Sequence, residues 1–102
     1  MSGNDRRIVL STEAQEDLLD IWHYGANEWS AEQADRHLRE LDGMLQHLMD
    51  NPHLGRRRDD LVAGLRSAFV RPHLIFYRQS SMTIQIVRIL HHRLDTVMQF
   101  RQ

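Results

Sequence analysis

A chain of 102 residues, 41% hydrophobic and 26% charged, is long enough for one domain around a single core. It has no cysteine, which excludes disulfides, thiolate metal sites and a cysteine nucleophile; its thirteen basic residues are all arginine, which excludes a lysine base or Schiff base. The net charge of −1 conceals a division, since residues 1–51 carry four arginines against eleven acids and residues 52–102 carry nine arginines against three.

Met1 to Arg7 is polar and no apolar signal region follows it, nor is any later apolar run long enough to cross a bilayer, so a cytoplasmic location without membrane contact is expected. After the polar lead-in, Arg7 to Leu10 is a short apolar run suited to a first strand. Thr12 and Gln15 have the spacing of a capping box and open a helix. Its apolar stripe is Ala14, Leu18, Ile21, Trp22, Gly25 and Trp29, with both tryptophans expected in the core, and it ends near Asn27. Ser30 and Gln33 form a second capping box. The helix that follows carries Ala34, Leu38, Leu41, Leu45 and Leu48 on one face and stops at Asn51-Pro52, where proline forbids continuation. The short link makes the two helices an antiparallel hairpin. Residues 53–63 are expected to form a loop.

Leu65 to Val70, His73 to Gln79 and Thr83 to Leu90 are runs rich in Ile, Val, Phe, Tyr and Leu, separated by Arg71-Pro72 and by Gln79 to Met82. They predict three antiparallel strands and, with the first strand, a β-α-α-β-β-β fold of the α+β class with a short C-terminal helix or tail. The last two strands are apolar on both faces. Unbroken alternation places Leu74, Phe76 and Arg78 on one face of the second, and Ile84, Ile86, Arg88 and Leu90 together on one face of the third. One helical hairpin covers one face. The other, with Arg78 and Arg88 over Phe76, Ile86 and Leu90, is expected to await a partner.

Little in the chain suggests catalysis by side chains or a cofactor. His91 and His92 point to opposite faces if the strand continues, and His37 and His47 are ten apart on one helix, so no metal or cofactor is expected. Arg56-Arg57-Arg58 is followed by Asp59-Asp60, the pattern of an internally compensated loop. Arg78 and Arg88, flanked by apolar residues, are placed to reach either an anion on a partner or an internal carboxylate such as Asp95 or Asp59. The basic half would attract an acidic polypeptide or a nucleic-acid backbone unless the two halves pair with each other.

Leu10-Ser11-x-x-Ala14-x-x-Asp17-Leu18-x-x-Ile21-Trp22, Asn51-Pro52-x-Leu54-Gly55, Gly64-Leu65-Arg66-Ser67, Ile75-Phe76-Tyr77-Arg78 and Arg88-Ile89-Leu90-His91-x-Arg93-x-Asp95 occur in this order. The ordered set resembles the ParE toxins of bacterial toxin-antitoxin pairs, within the RelE/ParE superfamily. The resemblance implies a non-enzymatic toxin that inhibits DNA gyrase and is neutralised by a ParD-type antitoxin, which carries any DNA contact through its own ribbon-helix-helix half. The antitoxin's arm would cover the second sheet face, with Phe76, Ile86, Leu90, Arg78 and Arg88 as the main receiving surface and Arg66, His91 and Arg93 beside it. The alternative is a ribosome-dependent messenger-RNA endonuclease of the RelE type. Those relatives are expected to use a tyrosine just after the last His-Arg segment, where this chain has Val97.

Overall fold

The computed structural model describes residues 6–100; the polar lead-in at residues 1–5 lies outside them. Strand β1 (Arg7–Leu10) leads into helix α1 (Thr12–Glu28), then α2 (Ala31–Asp50), a two-residue strand β2 (Arg56–Arg57), strands β3 (Leu65–Val70), β4 (His73–Gln79) and β5 (Thr83–His91), and a short helix α3 (Thr96–Phe100). The strands form one sheet in the order β1-β5-β4-β3-β2, antiparallel except for the parallel β1–β5 pair. The α1–α2 hairpin carries the chain from β1 across to the β2 edge, and the antiparallel run β2 to β5 then returns the last strand beside and parallel to the first. The expected fold is therefore present, with β2 added as an edge in the segment expected to be a loop.

Helix α1 is capped by Ser11, whose Oγ accepts from the Ala14 N–H at 2.9 Å. Thr12 is thus the first helical residue and not the cap, a shift the Thr-x-x-Gln spacing hid. The same hydroxyl donates to the Val87 carbonyl at 2.8 Å, so a contact 76 residues away fixes the choice of cap. Ser30 caps α2 as its spacing predicts, accepting from Gln33 N–H at 3.0 Å. Of the α2 stripe, Ala34, Leu41, Leu45 and Leu48 are buried and Leu38 partly so. Trp22 is half-buried and donates Nε1–H to Asp35 at 2.8 Å. Trp29, at the end of the helix, is 67% exposed and not in the core.

The register corrects the assignment of faces on β5. Tyr77 pairs with Ile86 but Phe76 pairs with Arg88, leaving Val87 as an extra residue in a β-bulge. A bulge shifts the alternation by one. Ile84, Ile86 and Ile89 consequently join Ile75, Tyr77 and Ala68 in the core under the helices, while Leu90 joins Leu65 and Phe76 in a second cluster. Ile86 therefore does not share a face with Phe76 and Leu90.

The second face is not open either. Leu61 and Val62 from the β2–β3 connection and Phe100 of α3 pack on it, leaving Leu65, Phe76 and Leu90 between 0% and 3% exposed. The rings of Phe76 and Phe100 meet edge to face at 5.0 Å, and the Arg58 guanidinium lies 5.7 Å from the Phe76 ring centre. The chain thus supplies its own second cover from segments that carry too few apolar residues to announce it.

Candidate functional site: a groove between the helical hairpin and the sheet end

Gly25 of α1 faces Ala34 of α2, and a Cβ added at Gly25 would lie 3.4 Å from that of Ala34. Small residues let the two helices approach closely at their linked end. Next to this crossing the hairpin, the ends of β4 and β5 and the α3 segment enclose a largely apolar groove of about 560 Å³. Ile21, Gly25, Ala34, Ile89, Leu90 and Leu94 contribute apolar lining, and Tyr24 and Trp29 belong to the α1 side. Tyr24 is 60% exposed, and its ring meets that of Trp29 edge to face at 6.0 Å.

A charged clamp holds the wall of this groove in place. Asp17 accepts from Arg88 Nε–H at 2.8 Å and Nη2–H at 2.9 Å, and also from the Ile89 backbone N–H at 2.9 Å. The Asp17 hydrogen bond raises the Arg88 pKa above its ordinary value. This bidentate geometry needs arginine and satisfies both carboxylate oxygens. Arg88 is therefore tied to α1, and neither Asp59 nor Asp95 is its partner. Below the clamp, His37 of α2 and His73 of β4 bond through Nε2 and Nδ1 at 2.8 Å, while Nδ1 of His37 meets Glu40 at 3.2 Å. Burial, then the neighbouring His37, His91 and His92, push the His73 pKa down to about 4. At neutral pH this ring is uncharged and the groove wall is polar there without being cationic.

Of the residues predicted for partner binding, the groove brings together Arg88, Leu90 and His91. Phe76 and Ile86 are both fully buried, in separate clusters. Arg66 is half-buried, donating to the Gly55 carbonyl at 2.7 Å and lying 3.1 Å from His53 Nδ1. Arg78 is exposed at the other end of β4, its guanidinium 3.5 Å from the Ala63 carbonyl. Arg93 is exposed in the turn after β5. The 56–60 run is internally compensated as its pattern predicts, by Arg57–Asp59 at 2.7 Å and Arg58–Asp60 at 3.1 Å. The Gly64 N–H and then Arg57 hold the Asp59 pKa below its ordinary value, and Arg58 does the same for Asp60.

Sequence placed Trp29 in the core and weighed His37 only as a metal ligand with His47, and it assigned neither these nor Tyr24 and His73 to a binding groove. The tryptophan carried one signal, its place immediately before the Ser30 cap, where a residue leaves the helix stripe and points outward. The histidine pair joins positions 36 apart and had none.

Comparison with known proteins agrees with this architecture. Residues 8–96 match the family described as ParE toxin of type II toxin-antitoxin system, parDE. The chain is 38% identical over 90 residues to Toxin ParE1 of Mycobacterium tuberculosis, covering 87% of this chain and 92% of that one. It is 35% identical over 86 residues to Toxin ParE1 of Caulobacter vibrioides, covering 84% and 88%. Among solved structures, the chromosomal ParDE TA system from P. aeruginosa superposes with a TM-score of 0.74 at 21% identity, over 86% of this chain and 97% of that one. A chain of the E. coli DinJ-YafQ toxin-antitoxin complex superposes with a TM-score of 0.61 at 16% identity, over 86% of this chain and 93% of that one. With the match spanning the strand, hairpin and sheet that build the groove, the chain belongs to the ParE toxin family of type II toxin-antitoxin systems.

Proposed function

We propose that this ParE-family toxin acts by binding, without chemistry of its own, that its target is DNA gyrase, and that a ParD-type antitoxin neutralises it by laying an apolar arm in the groove between the hairpin and the sheet end. The observation that carries the reading is the groove itself, a preformed apolar trough rimmed by Tyr24 and Trp29 at 60% and 67% exposure. Exposed aromatic residues of this kind are the usual anchors of an interface. The gyrase target rests on the resemblance to ParE toxins. A binding mode of action is supported by the tyrosines: Tyr77 is fully buried with its hydroxyl bonded on both sides, and Tyr24 sits on α1 at the rim of the groove.

Arg78 remains exposed, at the opposite end of β4 from the groove, and suits an acidic residue of the same antitoxin outside the groove. Leu90 lines the groove, whereas Phe76 and Ile86 are fully buried and Arg66 is bonded to Gly55 and His53, so none of these three is assigned to the arm. The test is a supercoiling assay in which toxin freed of antitoxin is added to gyrase, ATP and relaxed plasmid. Cleaved or relaxed plasmid, restored to supercoiled form by adding antitoxin, is the expected result. Normal supercoiling by a toxin that still arrests growth would overturn the gyrase target.

A further inference from the structure

The β3–β4 turn and the end of β5 lie side by side, joined by the His92 N–H donating to the Pro72 carbonyl at 2.8 Å. Four exposed side chains gather there: Phe69, Arg71, His92 and Arg93. Phe69 is 48% exposed, its ring edge-on to His92 at 5.8 Å, and His92 stacks on His91 at 4.9 Å. Burial, then His91, Arg93 and Arg71, keep the His92 pKa below its ordinary value, which places both guanidinium charges near the ring.

Among the described residues, neither the Arg71 nor the Arg93 guanidinium has an ion-pair or hydrogen-bond partner. Carboxylates of the adjoining elements are engaged elsewhere: Asp17 with Arg88, Glu40 with His37, and Asp95 with the backbone N–H groups of Val97 and Met98. The compensated run at 56–60 differs in this respect. Two uncompensated arginines beside two exposed rings form a surface that the neutralised groove does not include.

We infer that this end of the sheet contacts an unpaired nucleic-acid strand directly, with Arg71 and Arg93 on its phosphates and the Phe69 and His92 rings against a base. Guanidinium groups match phosphate oxygens in a planar, two-pronged fashion. Aromatic faces accept any unpaired base by stacking. An acidic polypeptide would satisfy the arginines but sets a flat group beside its charge only where an aromatic residue adjoins an acid, whereas every unpaired nucleotide carries both; a duplex keeps its bases from the rings. The contact involves no bond cleavage.

The test is fluorescence anisotropy of the full chain with a labelled single-stranded oligonucleotide of about 15 nucleotides, titrated at several salt concentrations. Two phosphate contacts predict a slope of log K against log salt of about −1.4. Arg71→Gln with Arg93→Gln should weaken binding about tenfold at low salt and flatten that slope. Phe69→Ala should weaken it while leaving the slope unchanged, which separates stacking from charge. Circular dichroism of each variant checks the fold. The inference is overturned by absence of binding at about 50 mM salt, by an equal loss from Arg7→Gln, which pairs with Thr83 at the opposite end of β5, or by duplex binding as tightly as single strand. A polyglutamate peptide binding equally well, with Phe69→Ala without effect, would overturn it in favour of an acidic polypeptide.

Discussion

The hydroxyl of Tyr77 occupies a place that no other residue type fills. It donates to the Pro52 carbonyl and accepts from the Gly55 N–H, both at 2.8 Å, and so fastens the turn after α2 to the centre of the sheet. Tyr77→Phe should cost about 1–3 kcal/mol in chemical denaturation, the penalty of leaving buried backbone groups unpaired. Gly55→Ala should cost more, because a Cβ there would sit 2.6 Å from the Tyr77 hydroxyl and 2.8 Å from the Ser67 carbonyl. Combining it with Tyr77→Phe should not restore stability, since the Ser67 backbone and a ring carbon at 2.7 Å remain in the way. Asp17→Ala should cost about 3 kcal/mol, as it leaves Arg88 and the Ile89 N–H without their carboxylate. For the same reason Arg88→Glu would test folding before it tested any partner. Asn51-Pro52-x-Leu54-Gly55 and the Asp17 and Arg88 positions were legible as parts of an ordered pattern. Their pairing was not, because the partners lie 22 to 72 residues apart.

Between elements, the His37–His73 bond ties α2 to β4. His73 has an ordinary pKa of 6.5 and a folded value of about 4, so the unfolded chain binds its proton first as the pH falls. The stabilisation is complete above about 6.5, declines through that window and levels off below about 4. Unfolding midpoints measured across pH 4 to 6.5 should follow this fall, and His73→Gln should flatten it. At the other end, Phe100→Ala should cost about 1 kcal/mol for the lost ring pair with Phe76. Helix boundaries, strand runs and the Leu stripe were legible because their periods are local. The bulge at Val87 was not: strict alternation from Thr83 breaks at Ile86-Val87, but the same polar-apolar-apolar-polar order recurs at Arg88-Ile89-Leu90-His91, so the doublet alone does not locate it. What selects the bulge is Ser11, the cap of α1, holding the Val87 carbonyl and Asp17 of α1 holding the Ile89 N–H.

For the molecule as a whole, the charge division is answered only in part. Arg88 with Asp17 joins the basic half to the acidic one, while Arg57 and Arg58 find acids within their own loop. Both the groove and the arginine-rich turn remain for other molecules. Tyr24→Ala with Trp29→Ala should leave the unfolding midpoint nearly unchanged, since both rings are more than half exposed. It should weaken antitoxin binding by about 2 kcal/mol or more, the cost of losing central aromatic anchors. Calorimetry with the purified antitoxin measures this directly. The groove beside α1 was not legible: the apolar excess of the strands pointed to the opposite sheet face, which α3 and the 58–64 segment close.

The pairing of first strand with last bears on how the protein is made. β1 has its ladder neighbour only in β5: Arg7 N–H donates to the Met82 carbonyl and Ser11 N–H to the Ile86 carbonyl, at 2.9 and 3.0 Å. A nascent chain that has emerged through α2 has a hairpin whose Leu stripe lacks its floor, whose first cap lacks the Val87 carbonyl, and whose Asp17 lacks Arg88. The groove comes into being only when Arg88 to His91, Leu94 and Gln99 have joined the two helices. A binding surface that needs the first helices and the last strand together arises with the β1–β5 pairing, not element by element along the chain.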